Sequence, residues 1–122
     1  MKPKICHEQV EFACGKSMTN RLMLAPMTNC QSHEDGTLSE EERHWLVLRA
    51  KGGFGMTMTC ATHVQAAGQG FPGQLGIFSE KHIKGHTQLA KAIKAEGSLS
   101  VVQLHHAGMR SPKELIGRAP MC

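Results

Sequence analysis

The stretch Ser39 to Val64, SEEERHWLVLRAKGGFGMTMTCATHV, decides the architecture of this chain. It opens on Ser39 with Glu42 three residues on. That is the spacing of a capping box, in which each side chain satisfies the other's free backbone amide. The acidic run Glu40-Glu41-Glu42 suits the positive end of a helix dipole. Trp45, Leu46, Val47, Leu48 and Ala50 supply the buried side, and Gly52-Gly53 ends the helix. From Gly55 to Val64 the pattern changes to β-branched residues and Met, which reads as a strand. A helix followed at once by an apolar strand is the repeating unit of an α/β protein.

Working outward, Arg21 to Met27 (RLMLAPM) is an apolar run short enough for a buried strand before the helix. Upstream, Gln9 to Ala13 alternates polar and apolar, Cys14-Gly15-Lys16 offers a turn, and Ser17 to Thr19 returns, so a short hairpin is expected. Thr28 to Leu38 reads as a polar loop, and Gln65 to Gly76 as a Gly-rich one, flexible over Gly68 to Gly73. A second helix is expected within Ser79 to Glu96, with Ile83, His86, Leu89, Ala90 and Ile93 on its buried face and Gly97 closing it. Leu99 to His106 (LSVVQLHH) is the third strand. The order is therefore a hairpin, then β-α-β-α-β. The strands are apolar on both faces, as in parallel sheets covered by helices.

Composition bounds the function. The chain has 122 residues, 40% hydrophobic and 20% charged, with 13 Gly and 5 Pro, which excludes collagen, coiled coil and a fully disordered tail. No apolar run approaches the ~20 residues that cross a bilayer. The start lacks an apolar secretory core, so no signal peptide and a cytoplasmic location are expected, with no membrane partner. The net charge of +4 is scattered among few aromatics, which argues against nucleic acid. Tyr is absent, Trp45 is the single Trp, and Met numbers 8. The 5 Cys are read as free thiols. Cys30-x-x-His33 and Cys60-x-x-His63 make a zinc set only on paper, because Cys60 and His63 lie three apart on a strand and diverge. No metal is expected.

In parallel α/β folds, ligands gather at the carboxyl ends of the strands. Those ends are Ala25-Pro26-Met27-Thr28, Cys60-Ala61-Thr62 and Gln103-Leu104-His105-His106. Strict alternation puts Val101, Gln103 and His105 on one face, and Thr57, Thr59 and Ala61 on one face. An amide, a hydroxyl and a small Ala at neighbouring strand ends suit a flat polar heterocycle. Gly68-Gln69-Gly70-Phe71-Pro72-Gly73 spells GxGxxG, but no strand runs directly into it and no helix opens within it, so the dinucleotide reading is set aside. There is no nucleophile elbow, Walker loop or carboxylate pair.

APMTN at 25–29, RAKGGFGMTMTCATHV at 49–64, GQLGIFSEKHIKGHTQLAKAIKAEG at 73–97 and VVQLHHAGMRSP at 101–112 resemble the old yellow enzyme family. These are FMN-dependent NAD(P)H:flavin oxidoreductases and ene-reductases on a TIM barrel. The resemblance runs from about Val10 to Pro120. It implies that the backbone of Ala25, Pro26 and Met27 runs beneath the flavin ring and that Thr28 hydrogen-bonds near the C4 carbonyl. It further implies that Ala61 sits against the ring edge and Gln103 pairs with the pyrimidine end. His105 would face the substrate side.

A complete barrel takes about 250 residues and eight strands. The expectation is a partial TIM barrel, a single incomplete domain over 1–122 that forms the N-terminal third of an FMN-binding barrel. The family's substrate-anchoring His pair, tyrosine proton donor and phosphate-binding loops all lie on later strands. FMN would carry hydride from NAD(P)H to an activated alkene or similar small acceptor. This chain alone is expected to be inactive, to hold no catalytic residue, and to bind FMN weakly or not at all. The alternative is a non-catalytic interaction module, self-associating or complementing through an open sheet edge.

Overall fold

The computed structural model describes residues 4–121. The chain start, Met1 to Pro3, read for a leader, and Cys122, read as a free thiol, lie outside the described residues. The eight regular elements are β1 (Val10–Glu11), β2 (Ser17–Met18), β3 (Met23–Leu24), α1 (Glu40–Lys51), β4 (Met56–His63), α2 (Ile83–Ala95), β5 (Leu99–His105) and α3 (Lys113–Ile116).

The hairpin forms as expected. Val10 pairs with Met18 and Glu11 with Ser17, antiparallel, around a turn in which Gly15 takes φ 75°. Asn20 then docks the hairpin to the sheet. Its Nδ2 donates to the Gly53 carbonyl (2.7 Å), and its Oδ1 accepts from the Leu22 and Gly55 amides (2.9 and 3.1 Å). A Cβ on Gly55 would come within 2.7 Å of the Asn20 carbonyl oxygen, so glycine is required where β3 and β4 start side by side.

The main sheet has the order β3-β4-β5, all parallel. This is the β-α-β-α-β half of the expectation, a partial (β/α) barrel with no closed barrel among the described residues. β3 is shorter than the 21–27 run. Two residues pair with β4, and from Ala25 the chain leaves the ladder without regular secondary structure. β4 and β5 are not in uniform register. Met58 pairs with Val101, but Ala61 pairs with Gln103, so β4 carries one extra residue. Ala61 therefore shares a face with Met58. This corrects the expectation that Thr57, Thr59 and Ala61 lie on one face. The Thr59 hydroxyl repairs the gap, accepting the Gln103 amide at 3.2 Å.

Helices α1 and α2 cover one face of the sheet around Leu24, Leu46, Ala50, Leu89 and Ile93. Each such fully buried Leu or Ile contributes about 1.5–3 kcal/mol. Leu48 and Ile83 are exposed, against expectation, because they lie off the Leu46–Ala50 and Leu89–Ile93 stripes. The Ser39 side chain caps α1 by accepting the Glu42 amide (3.1 Å). The reciprocal half of the capping box does not form, since the Glu42 carboxyl turns into the core instead. The 3-10 turn Glu80–His82 leads into α2, and here both halves of a capping box are present, between Ser79 and His82.

β5 is an edge strand, and Leu104 on it is 65% exposed. The total accessible area is 7674 Å². A compact monomer of this mass exposes about 6,500 Å².

Candidate active site

The carboxyl ends of the three parallel strands converge on a cavity of about 440 Å³ lined by Thr28, Ala61, Gly70, Phe71, His105, His106, Ala107 and Arg110. Thr28, Ala61 and His105 come together there as the strand-end argument expects. Gln103 lies one rung down β5, opposite Ala61, and is half-buried. Ala25, Pro26 and Met27 link β3 to Thr28 and do not line the cavity, with Met27 47% exposed.

His105 and His106 diverge. The His106 Nδ1 accepts the Gly108 amide (3.0 Å), so Nε2 carries the proton and donates to the Gln65 side-chain oxygen (3.0 Å). His105 turns instead to Gln74, whose Nε2 lies 3.1 Å from its Nδ1. Gln74 is fully buried. Its Oε1 accepts the Gly70 amide (2.7 Å), and its Nε2 also donates to the Ala61 carbonyl (2.7 Å).

Gln65 to Gly76 forms the expected Gly-rich loop, and much of it is packed against the strand ends. Ala67, Gly68, Gln69, Gly73, Gln74, Leu75 and Gly76 are all buried. The His63 amide donates to Leu75 and the Ile77 amide to His63, extending the end of β4 by a strand-like step. The glycines serve close approach. A Cβ on Gly68 would meet the His106 ring at 2.4 Å, and one on Gly73 would meet the Cys30 carbonyl oxygen at 2.5 Å.

On α1, Glu42 is fully buried with no cationic partner among the described residues. It accepts hydrogen bonds from the Ser32 hydroxyl and from the Cys60 thiol (3.1 Å). Burial first, then the neighbouring Glu42, pushes the Cys60 thiol up to about 12, so it stays a donor. Cys6, Cys14, Cys30 and Cys60 are all unpaired. His63, at the end of β4, is buried against Phe78 (ring centroids 4.9 Å apart). Its Nδ1 donates to the Gln65 carbonyl, its Nε2 has no hydrogen-bond partner among the described residues, and burial holds its pKa below the usual imidazole value.

Gln74, Phe71 and Arg110 carry no site expectation from the sequence, and Glu42 reads there only as a capping residue. The available signal for Gln74 was its setting, a polar amide flanked by Gly73, Leu75 and Gly76, where a solvent loop would be more polar.

The model of the NADH:flavin oxidoreductase / NADH oxidase family matches residues 12–121, and the chain belongs to that family. It is 42% identical over 115 residues to a probable NADH-dependent flavin oxidoreductase, YqiG, of Bacillus subtilis (strain 168), covering 94% of this chain and 31% of that protein. Among solved structures, a 2-naphthoyl-CoA reductase in complex with 2-naphthoyl-CoA superposes with a TM-score of 0.88 at 29% identity, over 93% of this chain and 17% of that one. The old yellow enzyme homologue of Zymomonas mobilis superposes with a TM-score of 0.86 at 23% identity, over 94% and 32%, and shows the shared fold. The chain therefore spans about a third or less of the length of these proteins.

The donor set suits the ring of the family's FMN. Thr28 presents a hydroxyl to the cavity, and Gln103, which does not line it, carries an amide two residues before His105 on β5; neither side chain is hydrogen-bonded to another group among the described residues. Ala61 leaves the space between them open. Among the residues lining the cavity, Arg110 is the one permanent cation.

Proposed function

We propose that this chain supplies one side of the FMN site of an NAD(P)H-dependent flavin oxidoreductase, as the N-terminal third of its barrel, and that the acceptor is an activated alkene or a similar small molecule. The observation that carries this reading is the convergence of Thr28, Ala61 and His105 on one cavity at the ends of three parallel strands. FMN, when bound, supplies the hydride chemistry. The chain's own groups bind and orient. The backbone of Ala25 to Met27 lies under the ring, the Thr28 hydroxyl donates to a ring carbonyl, and the Gln103 amide matches the donor and acceptor pattern of the pyrimidine edge. Ala61 admits the ring edge, and His105 faces the acceptor.

The test is amide NMR of the chain titrated with FMN. Contacts to one face and one edge of the ring correspond to a Kd on the order of 1 mM, about 4 kcal/mol. The expected result is shifts confined to Met27–Thr28, Ala61 and Gln103–His105. Shifts centred on other residues sink the reading, as does tight stoichiometric FMN binding by this chain alone.

A second reading, association through the β5 edge, is favoured by a different observation. Among the described residues β5 has a strand partner on one side only, and Leu104 on it is 65% exposed. Light scattering after size exclusion tests it. A discrete dimer supports self-pairing, and a monomer at high micromolar concentration rules it out.

A further inference from the structure

We infer that Gln74 is a positioning residue that locks the His105 imidazole with its proton on Nε2, the form that donates to a carbonyl oxygen of the acceptor. This rests on the reading of His105 as a substrate-side residue.

The argument starts from two backbone groups. The Gly70 amide can only donate and the Ala61 carbonyl can only accept, and each lies 2.7 Å from one end of the Gln74 amide. Together they fix which end is oxygen and which is nitrogen. Turning the amide over would set donor against donor and acceptor against acceptor inside a fully buried site. The Gln74 nitrogen has two hydrogens and no acceptor capacity. One goes to Ala61, and the His105 Nδ1 lies 3.1 Å from the same nitrogen. Nδ1 must then accept, and the ring's proton sits on Nε2.

That Nε2 has no protein partner among the described residues, while its ring lines the cavity beside Phe71 and Arg110. Gly70 closes the near side of the ring, since a Cβ there would lie 3.4 Å from the His105 Cε1 and 3.2 Å from the Ala107 Cβ. No Asp or Glu lines the cavity to compete for the N–H. An N–H presented in a cavity without a competing carboxylate is open to a neutral oxygen, and a conjugated carbonyl supplies one. The same amide holds the Ala61 carbonyl, so one buried side chain sets both the ring-edge strand and the donor opposite it.

Long-range proton–nitrogen NMR of histidine-labelled chain reads the tautomer directly, with the His105 signals assigned by their loss in His105→Asn. The expected native result is an acceptor-type Nδ1 and a protonated Nε2. Gln74→Glu replaces the donor by an acceptor and should move Nδ1 into the N–H region. Gln74→Met should remove the hydrogen-bond shift at Nδ1 without protonating it. A native ring protonated on Nδ1 overturns the inference whatever the variants do, as does a folded Gln74→Glu with an unchanged spectrum. Titration with 2-cyclohexen-1-one separates the two readings. Movement of Nε2 in the native chain supports both. An Nε2–H ring that ignores the ketone supports the clamp and overturns the substrate-side role.

Discussion

Replacing Gly73 by Ala should destabilise the chain by more than replacing Gly97 by Ala, and the excess measures one contact. Both glycines hold positive φ, 65° and 78°. An L-residue in that region costs about 1–2 kcal/mol. A Cβ on Gly97 would meet nothing within 4 Å, so that variant reports the backbone strain alone. On Gly73 the Cβ would lie 2.5 Å from the Cys30 carbonyl oxygen and 2.7 Å from its carbon. A relaxed carbon–oxygen contact is about 3.3 Å, so a main-chain carbonyl must retreat by roughly 0.8 Å. No rotamer relieves this, because the obstacle is backbone, and the Ser32 amide also bonds the Gly73 carbonyl (3.0 Å). Overpacking of this kind adds about 1–3 kcal/mol. Urea unfolding followed by Trp45 fluorescence gives the comparison. With a slope of about 1–3 kcal/mol per molar urea, an excess of ~2 kcal/mol lowers the midpoint by roughly 1 M below that of Gly97→Ala. Equal midpoints would refute the claim that the Cys30 loop is pinned against Gly73. The same displacement carries Thr28, two residues upstream, so the FMN-induced shift of the Thr28 amide should shrink in Gly73→Ala and persist in Gly97→Ala.

Glu42→Ala strands the Ser32 hydroxyl and the Cys60 thiol and leaves a void, and should cost about 3 kcal/mol in the same unfolding assay. Glu42→Gln keeps an acceptor for the thiol and a partner for the hydroxyl and should cost about 1 kcal/mol; equal losses would show that packing, not hydrogen bonding, holds the residue. With its pKa pushed up to about 12 and its side chain buried, Cys60 should not react with a disulfide reagent at pH 8. The thiol count of the native chain should therefore be unchanged in Cys60→Ala, and one fewer reactive thiol contradicts this. Acid should weaken the fold in two windows. Burial lowers the His63 pKa in the fold, so below the unfolded value near 6.5 the unfolded chain binds the extra proton, and stability falls by up to about 1.4 kcal/mol per pH unit. His63→Gln should flatten that limb, and an unaltered slope argues against it. The Thr37 hydroxyl and amide, then Lys81, hold the Asp35 carboxyl well below the usual range, so its contribution is present above pH ~4 and lost below it. Asp35 is half-exposed, so Asp35→Asn should remove under ~1 kcal/mol of that lower-pH loss.

The element order was legible because period and punctuation agree along most of the chain. Ser39 and Gly52-Gly53 bracket α1, and Gly97 follows α2. Three of the strand-end residues, Thr28, Ala61 and His105, were legible as neighbours because parallel strands bring their carboxyl ends together. What escaped were places where a side chain has two competing destinations. Glu42 fits the capping-box spacing, yet its carboxyl leaves the helix end for Ser32 and Cys60, a choice set by tertiary neighbours that lie 10 and 18 residues away. Gln65 to Gly76 is Gly-rich, and while the setting of Gln74 hints at burial, its three partners at Gly70, Ala61 and His105 are set by tertiary packing. Period-2 counting along β4 failed at Ala61 because an extra residue in a parallel ladder leaves no mark in the pattern of side-chain types.

That extra residue makes the sheet self-indexing. Two uniform strands can slide past one another by two residues, about 6.6 Å, and present the same faces as before. β4 and β5 cannot, because β4 takes three steps from Met58 to Ala61 while β5 takes two from Val101 to Gln103. The odd step acts as a notch, and the Thr59 hydroxyl on the Gln103 amide is the pin that drops into it. Only one alignment seats the pin, so Ala61 stands opposite Gln103, and His63 opposite His105, without help from the strands' ends. Deleting Cys60 would smooth the notch and turn a keyed joint into a sliding one.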